Sequence, residues 1–193
     1  MKLIIVTTST FFVEEDKILT SLFEEGMENL HLYKTGAAPI YSERLLTLLP
    51  EDYTRKITVH DHFYLKDEYS LRGIHLDDAS ADPPTGYKGR ISRTCFHMNE
   101  LKAAKKRSDY VFLSGEWREE NNAKKALLSN HSLIDRHVYA MGNITLDDVK
   151  LAKDLGFGGI VVCDDLWDRF DIYHGTDYKE VLTYFEKLRK AVG

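Results

Sequence analysis

Residues 137–167 read HVYAMGNITLDDVKLAKDLGFGGIVVCDDLW, and this stretch decides the fold. Its two apolar runs, His137–Met141 and Ile160–Cys163, have the length of buried strands. The segment between them carries apolar residues at helical spacing, namely Ile144, Val149, Ala152 and Leu155. We expect Thr145 to cap this helix and Gly156 to follow its last turn. The stretch is therefore a β-α-β unit, the building block of parallel α/β proteins.

The same alternation runs along the whole chain. Eight candidate strands lie at residues 3–7, 30–34, 56–60, 73–76, 91–95, 110–114, 138–141 and 160–163. Helical patterns separate most of them, at residues 14–25, 42–49, 99–107, 123–129, 146–155 and 178–192. The connection after 73–76 reads DDASADPPTG, which predicts a turn-rich loop without a helix. The pattern predicts an α/β fold, a compact (β/α)8 TIM barrel over residues 1–193 as one domain. A doubly wound open sheet is the structural alternative.

Composition excludes several classes of function. The net charge of −5, without a local block of Lys or Arg, indicates no nucleic-acid partner. The longest apolar runs have strand length, so we expect no membrane partner and no signal peptide. Cys95 and Cys163 lie far apart without a CxxC pair, which favours reduced thiols and a cytoplasmic location.

Polar residues mark the ends of the predicted strands, where a parallel barrel collects its active site. Four of the eight histidines, His31, His60, His62 and His75, fall at the tips of three successive strands. Zinc held by His60, His62, His75 and Asp77 is one interpretation, although no established ligand spacing supports it. The acidic residues suit Mg²⁺ better, because this hard ion takes one or two carboxylates together with phosphate oxygens. A solvated acidic loop is the alternative.

The chain resembles the thiamine phosphate synthase and TenI family along nearly its whole length. LHLYK (30–34) resembles the family's second-strand Gln-x-Arg-x-Lys, ITVHDHFYL (57–65) its third-strand Asn-Asp segment, and GIHLDD (73–78) its GVHLGQxD element. ISRTCFHMNELKAA (91–104) and DYVFLS (109–114) are similar to the fifth- and sixth-strand motifs. AMGNIT (140–145) resembles the A-x-GGI-T turn, and GFGGIVVCDDLW (156–167) resembles GAxGVAVVSAI. The order and spacing of these motifs carry the resemblance.

The resemblance implies a Mg²⁺-dependent transferase for two small molecules. A hydroxymethylpyrimidine diphosphate loses pyrophosphate, and the nitrogen of a thiazole phosphate attacks the resulting cation. Catalytic roles would fall to His31, Lys34, His60 and Thr94, beside the pyrimidine and the pyrophosphate. The thiazole phosphate would bind at Gly142, Asn143, Asp164 and Asp165, and Mg²⁺ would bind Asp61 with Asp78 as its neighbour.

Several positions depart from the family pattern. His31, Tyr33 and Thr35 replace Gln, Arg and Lys, so Lys34 and Arg44 are the nearest substitutes for the lost charge. SGEWREENNAKK (114–125) replaces the Pro-rich loop that closes over pyrophosphate, where only Lys124 or Lys125 could serve. Ser80 takes the place of a metal-binding Asp, Asn143 that of a glycine, and Asp164 that of a small phosphate-binding residue. A carboxylate at 164 repels a dianion.

These departures leave alternatives to the synthase. The first is a TenI-like thiazole tautomerase, which needs only an acid and a base. Gly115 replaces the catalytic His of that branch, so His31, His60 or Glu116 would have to act. The second is a non-catalytic ligand-binding relative, for which Tyr33 and Asp164 are the evidence. Aromatic residues after the last strand, Trp167, Phe170 and Tyr173, would support a homodimer contact or pack under the final helix.

Overall fold

The computed structural model describes residues 1–115, 117 and 133–193. Eight parallel strands form a closed barrel in chain order, and the last strand pairs with the first. The strands are β1 (Lys2–Val6), β2 (Leu30–Leu32), β3 (Ile57–Val59), β4 (Gly73–Leu76), β5 (Arg90–Cys95), β6 (Tyr110–Ser114), β7 (Val138–Met141) and β8 (Gly159–Val162). The predicted (β/α)8 barrel is confirmed, and the open sheet is excluded because β1 and β8 pair over four residues of each strand, from Lys2–Gly159 to Ile5–Val162.

Helices surround this barrel. They are α1 (Glu15–Glu24), α2 (Pro39–Leu48), α3 (Glu51–Thr54), α4 (Leu65–Glu68), α5 (Leu101–Lys106), α6 (Asp148–Asp154), α7 (Asp164–Trp167) and α8 (Lys179–Val192), with a 3₁₀ turn at Met98–Glu100. The connection 77–89 between β4 and β5 contains no helix, as predicted. The predicted helix at 123–129 lies outside the described residues.

The β-α-β unit of residues 137–167 forms as expected, with one local difference. Ile144, Val149, Ala152 and Leu155 are all buried. Thr145 does not cap α6 as predicted. Its backbone N–H and hydroxyl instead donate to the Asp148 carboxylate, at 2.8 and 3.0 Å, and α6 begins at Asp148. Asp164 and Asp165, which follow the last strand, lie in the first turn of the short helix α7.

The main hydrophobic core lies between the barrel and its helices. Helix α8 shows how the helices reach it, because its buried residues recur at helical spacing: Val181, Tyr184, Phe185, Leu188 and Val192. A second, smaller apolar cluster, Ile4, Val6, Phe112 and Val161, fills one side of the barrel interior. In the part of the chain that the structure describes, no helix is long and apolar enough to cross a membrane.

Alternation along the strands decides what the barrel interior contains. On β2 and β4 the outer neighbours are leucine and isoleucine, and the intervening residues, His31 and His75, point inward and are fully buried. On β5, Ser92 and Thr94 are the inward pair. The interior is thus apolar on the β1, β6 and β8 side and polar on the β2–β5 side.

Candidate active site

A cavity of 350 Å³ opens at the C-terminal end of the barrel strands. Six of the predicted site residues line it: His60, Thr94, Gly142, Asn143, Asp164 and Asp165. The remaining lining is mostly apolar or aromatic and includes Tyr33, Phe96, Phe112, Met141 and Val161. A small, largely apolar cavity with a few polar groups is the usual form of a small-molecule site.

Asp77 is the acidic residue that the strand pattern brings into the cavity. It continues the inward alternation of β4 beyond His75, and its carboxylate accepts a hydrogen bond from Nδ1 of His60 at 2.7 Å. The Asp77 side chain stays 47% exposed, whereas the His60 side chain is only 5% exposed. Asp77 therefore presents a carboxylate to the cavity, with a buried imidazole behind it.

His31 lies below the cavity and does not line it. Its Nδ1 is 2.9 Å from Nε2 of His60, and its Nε2 is 2.8 Å from the Tyr110 hydroxyl. Burial, with smaller contributions from His60 and Arg72, holds the pKa of His31 well below its usual 6.5. His31 is therefore neutral at pH 7 and can act on a ligand only through His60.

His75 is the third buried histidine of the polar interior. Its ring stacks on that of His60 with centroids 4.2 Å apart. Its Nδ1 and Nε2 contact the hydroxyls of Ser92 and Thr94 at 2.8 and 2.9 Å. Burial, followed by the neighbouring His60 and His31, holds the pKa of His75 well below 6.5.

The three histidines meet the spacing of a metal site, since one nitrogen from each lies within 4.8 Å of the others. However, each of their six ring nitrogens already has a hydrogen-bond partner. His62, which the zinc interpretation included, instead contacts the carbonyl of Ala37 at 2.9 Å. The cluster therefore fits a hydrogen-bond network better than a zinc site.

Lys34 does not face the cavity. Its ammonium is 2.7 Å from Glu15 Oε1 and 2.9 Å from the Thr10 carbonyl, and it lies over the ring of Phe11. Both charged side chains are buried. As placed, Lys34 neutralises Glu15 rather than a ligand.

The predicted metal ligands also lie outside the cavity lining. Asp61 is 3.6 Å from the His62 imidazole, and Asp78 accepts hydrogen bonds from the backbone N–H and hydroxyl of Ser80. These bonds lower the pKa of Asp78. As placed, the two carboxylates do not fit an ion that must also contact a ligand in the cavity. Mg²⁺ binding there stays a prediction.

The phosphate end of the predicted site has mixed character. Gly142 and Asn143 both adopt positive φ, at 106° and 42°, as expected for a turn at which Asn replaces glycine. Asp165 accepts hydrogen bonds from Tyr184 and Arg169. Asp164 lies beside Cys163, and burial, followed by Asp164, raises the pKa of that thiol to about 12. Among the described lining residues are three carboxylates and no Lys or Arg.

The remaining predicted groups are placed as follows. Cys95 and Cys163 are both free. Trp167 and Phe170 are buried and contact Phe12, so of the three aromatics proposed for a dimer only Tyr173 is exposed. Lys124, Lys125 and Glu116 lie outside the described residues. Tyr110 and Ser92 are not among the predicted site residues, and Asp78 is predicted where Asp77 lines the cavity. Strict alternation along β4, β5 and β6 identifies all three.

Solved structures of other proteins share this barrel. A crystal structure of thiamine phosphate pyrophosphorylase from Bacteroides thetaiotaomicron has a TM-score of 0.92 and 47% sequence identity, covering 99% of this chain and 97% of that one. A thiamine phosphate pyrophosphorylase from Pyrococcus furiosus has a TM-score of 0.73 and 20% identity, covering 99% and 95%. A 3-hexulose-6-phosphate synthase from Salmonella typhimurium has a TM-score of 0.63 and 11% identity, covering 100% and 98%.

The last two similarities concern the fold alone. No protein-family model matches the chain, and no curated protein sequence matches it. The similarity to the Bacteroides structure, however, extends over the full barrel and nearly half of the residues. The chain therefore belongs to the thiamine phosphate pyrophosphorylase family, whose members are also called thiamine phosphate synthases.

Proposed function

We propose that the chain is a transferase that joins a hydroxymethylpyrimidine diphosphate to a thiazole phosphate and releases pyrophosphate. The observation that carries this proposal is the cavity at the barrel mouth, because it gathers His60, Thr94, the Gly142–Asn143 turn and Asp164–Asp165 from four strand ends. Family membership supports the same reaction class.

Each part of the cavity suits one part of these substrates. The Phe112 and Met141 side chains offer an apolar surface for flat heterocycles. Consecutive positive-φ residues at Gly142 and Asn143 form the kind of turn whose backbone N–H groups bind phosphate. Thr94 supplies a hydroxyl to the cavity. Lys124 or Lys125 is the predicted cationic partner of the leaving pyrophosphate.

The test is a direct assay. Purified protein is mixed with Mg²⁺, the pyrimidine diphosphate and the thiazole phosphate, and both pyrophosphate and thiamine phosphate are quantified. We expect the two products in equal amounts. The matched control is Gly86→Ala against Gly142→Ala, since both glycines have positive φ but only Gly142 lines the cavity. Absence of both products with folded wild-type protein would contradict the transferase.

A second function is favoured by a specific observation. The described part of the cavity holds carboxylates and no cation, and one of them, Asp77, is backed by His60. This arrangement suits a proton shift better than it suits pyrophosphate departure, because a carboxylate can accept a proton without metal assistance. The corresponding activity is a thiazole tautomerase. Conversion of the carboxythiazole phosphate tautomer without Mg²⁺ would support it, and a protein that binds this compound without converting it would be the non-catalytic relative.

A further inference from the structure

A continuous hydrogen-bond chain runs through the polar half of the barrel interior. It starts in the cavity at Asp77 and passes to His60, then to His31, and then to Tyr110, with contacts of 2.7, 2.9 and 2.8 Å. Both His31 and His60 are buried. The Tyr110 phenol lies at the far end of this arm and does not line the cavity.

A second set of hydrogen bonds lies beside this chain. Burial raises the pKa of Tyr110, and the neighbouring Ser92 and Thr58 hydroxyls oppose that rise. Ser92 is also 2.8 Å from Nδ1 of His75, whose Nε2 is 2.9 Å from the Thr94 hydroxyl. Thr94 lines the cavity, as Asp77 does. Asp77 and Thr94 thus each connect the cavity with buried side chains of the barrel interior.

Donor and acceptor roles along this chain are mutually consistent. A neutral imidazole donates from one nitrogen and accepts at the other. If the Asp77 carboxylate is ionised, His60 donates to it from Nδ1 and accepts at Nε2 from His31 Nδ1. His31 Nε2 then accepts from the Tyr110 hydroxyl, and His75 likewise donates to Ser92 and accepts from Thr94. Every ring nitrogen is satisfied with all three histidines neutral.

We propose that Asp77 is the group through which the cavity removes a proton from its ligand, and that His60, His31 and Tyr110 are positioning residues that orient its carboxylate. The ligand class is a small, flat, weakly acidic heterocycle. This inference rests on the second function proposed above, the tautomerase, and deepens it by assigning its base.

The step balances without a co-reactant. A C–H or N–H bond of the ligand breaks, an O–H bond forms on Asp77, and the electron pair stays on the ligand. Return of the proton to a different ligand atom restores the carboxylate and completes the isomerisation. Thr94, whose own proton is directed to His75, offers an oxygen lone pair to a donor group of the ligand and so orients it.

The first experiment tests the hydrogen-bond chain directly, by nitrogen-15 NMR of the histidine rings between pH 5 and 8. We expect His31 and His75 to remain neutral with the proton on Nδ1 over this range, with the exposed His174 as the reference signal. Tyr110→Phe should change the ring-nitrogen shifts of His31 and His60, and Tyr64→Phe, which removes the exposed phenol that donates to Glu43, should not. A charged His31 at pH 7, or a proton on its Nε2, would overturn the proposal.

The second experiment measures the rate of proton transfer, with the carboxythiazole phosphate tautomer as the substrate. Asp77→Asn keeps an oxygen for His60 but removes the base, so we expect a loss in kcat of at least about 100-fold with little change in KM. Tyr110→Phe should lower kcat by roughly tenfold at constant KM. Asp67→Asn, an exposed carboxylate paired with Lys66, should leave the rate unchanged.

The outcomes separate the two proposals. Active wild-type protein with an equally active Asp77→Asn variant would overturn the assignment of Asp77 and leave the tautomerase intact. A wild-type protein that does not convert the probe would overturn the tautomerase and, with it, the role of Asp77 as its base.

Discussion

Lys34 and Glu15 form a buried ion pair in which Nζ lies 2.7 Å from Oε1, linking the residue after Tyr33 to the start of α1. The second carboxylate oxygen, Glu15 Oε2, is buried without a hydrogen-bond partner among the described residues. The pair therefore fixes α1 against the barrel, although it is incompletely satisfied.

Removing Lys34 should be strongly destabilising above pH 7, because the Glu15 carboxylate then carries a charge that stays buried without a partner. We expect Lys34→Met to lower the free energy of unfolding by about 3–5 kcal/mol. The double variant Lys34→Met with Glu15→Leu should recover most of this loss. Urea denaturation measures both. Lys17→Met is the control, since Lys17 pairs with Glu14 at 2.6 Å on the surface and should contribute less than about 1 kcal/mol. Equal effects of the two single substitutions would contradict the buried pair.

The same pair predicts a pH dependence of stability. Burial raises the pKa of Glu15 from 4.5 to about 7, and the opposing effect of Lys34 is smaller. Because the folded-state pKa lies above the unfolded one, the folded state binds this proton more tightly. The contribution of Glu15 to stability is thus fully present below pH 4.5 and is lost as the pH rises through 7, by roughly 3 kcal/mol.

Urea denaturation at pH 5, 6 and 7 tests this sign. The wild-type protein should lose stability over the interval relative to Glu15→Gln, whose side chain does not titrate. Parallel stability curves for the two proteins would show that Glu15 has an ordinary pKa.

Gly142→Ala should disturb the barrel mouth more than Gly86→Ala. Both residues have positive φ, so each substitution is expected to cost about 1 kcal/mol in backbone strain. A Cβ at Gly142 would also lie 3.1 Å from the Gly115 backbone nitrogen, whereas a Cβ at Gly86 meets nothing within 4 Å. We therefore expect thermal denaturation to show a larger loss for Gly142→Ala, with lost phosphate binding for that variant alone. Similar losses for both would mean that the turn adjusts.

Asp164→Ser should strengthen the binding of inorganic phosphate. The carboxylate lines the cavity at the predicted phosphate end, and a neutral hydroxyl would replace repulsion by a hydrogen bond. Calorimetry with Asp168→Ser as the control would measure the change, because Asp168 follows the same short helix but lies outside the cavity lining. Tight phosphate binding by the wild-type protein would show that Asp164 does not occupy the phosphate position.

Much of this barrel could be predicted from hydrophobic periodicity. The short apolar runs around His31, Thr58 and His75 have apolar neighbours on the outside and polar residues on the inside, and all became strands within two residues of the predicted bounds. The short helices α3, α4 and α7 were missed because four residues carry too little periodicity. The extent of the domain, the homodimer and the cytoplasmic location stay predictions.

The candidate site was predictable as far as the alternation of side chains was followed. His60 and Thr94 have the inward position on their strands and line the cavity, as do Asp77 and Tyr33. Lys34 and Asp78 have the opposite position, one residue further along, and point elsewhere. Family resemblance selected residue types, whereas the two-residue period of a strand selects which of two neighbours faces the ligand.

The chain from Tyr110 to Asp77 also constrains how the barrel interior can change. Because each member gives its hydrogen to the next, no member can turn around alone without leaving two lone pairs, or two hydrogens, face to face. Reversal would require a proton on Asp77 as well, because an ionised carboxylate only accepts hydrogen bonds. The charge of one exposed carboxylate thereby sets the proton positions of two buried imidazoles, with no movement of the backbone.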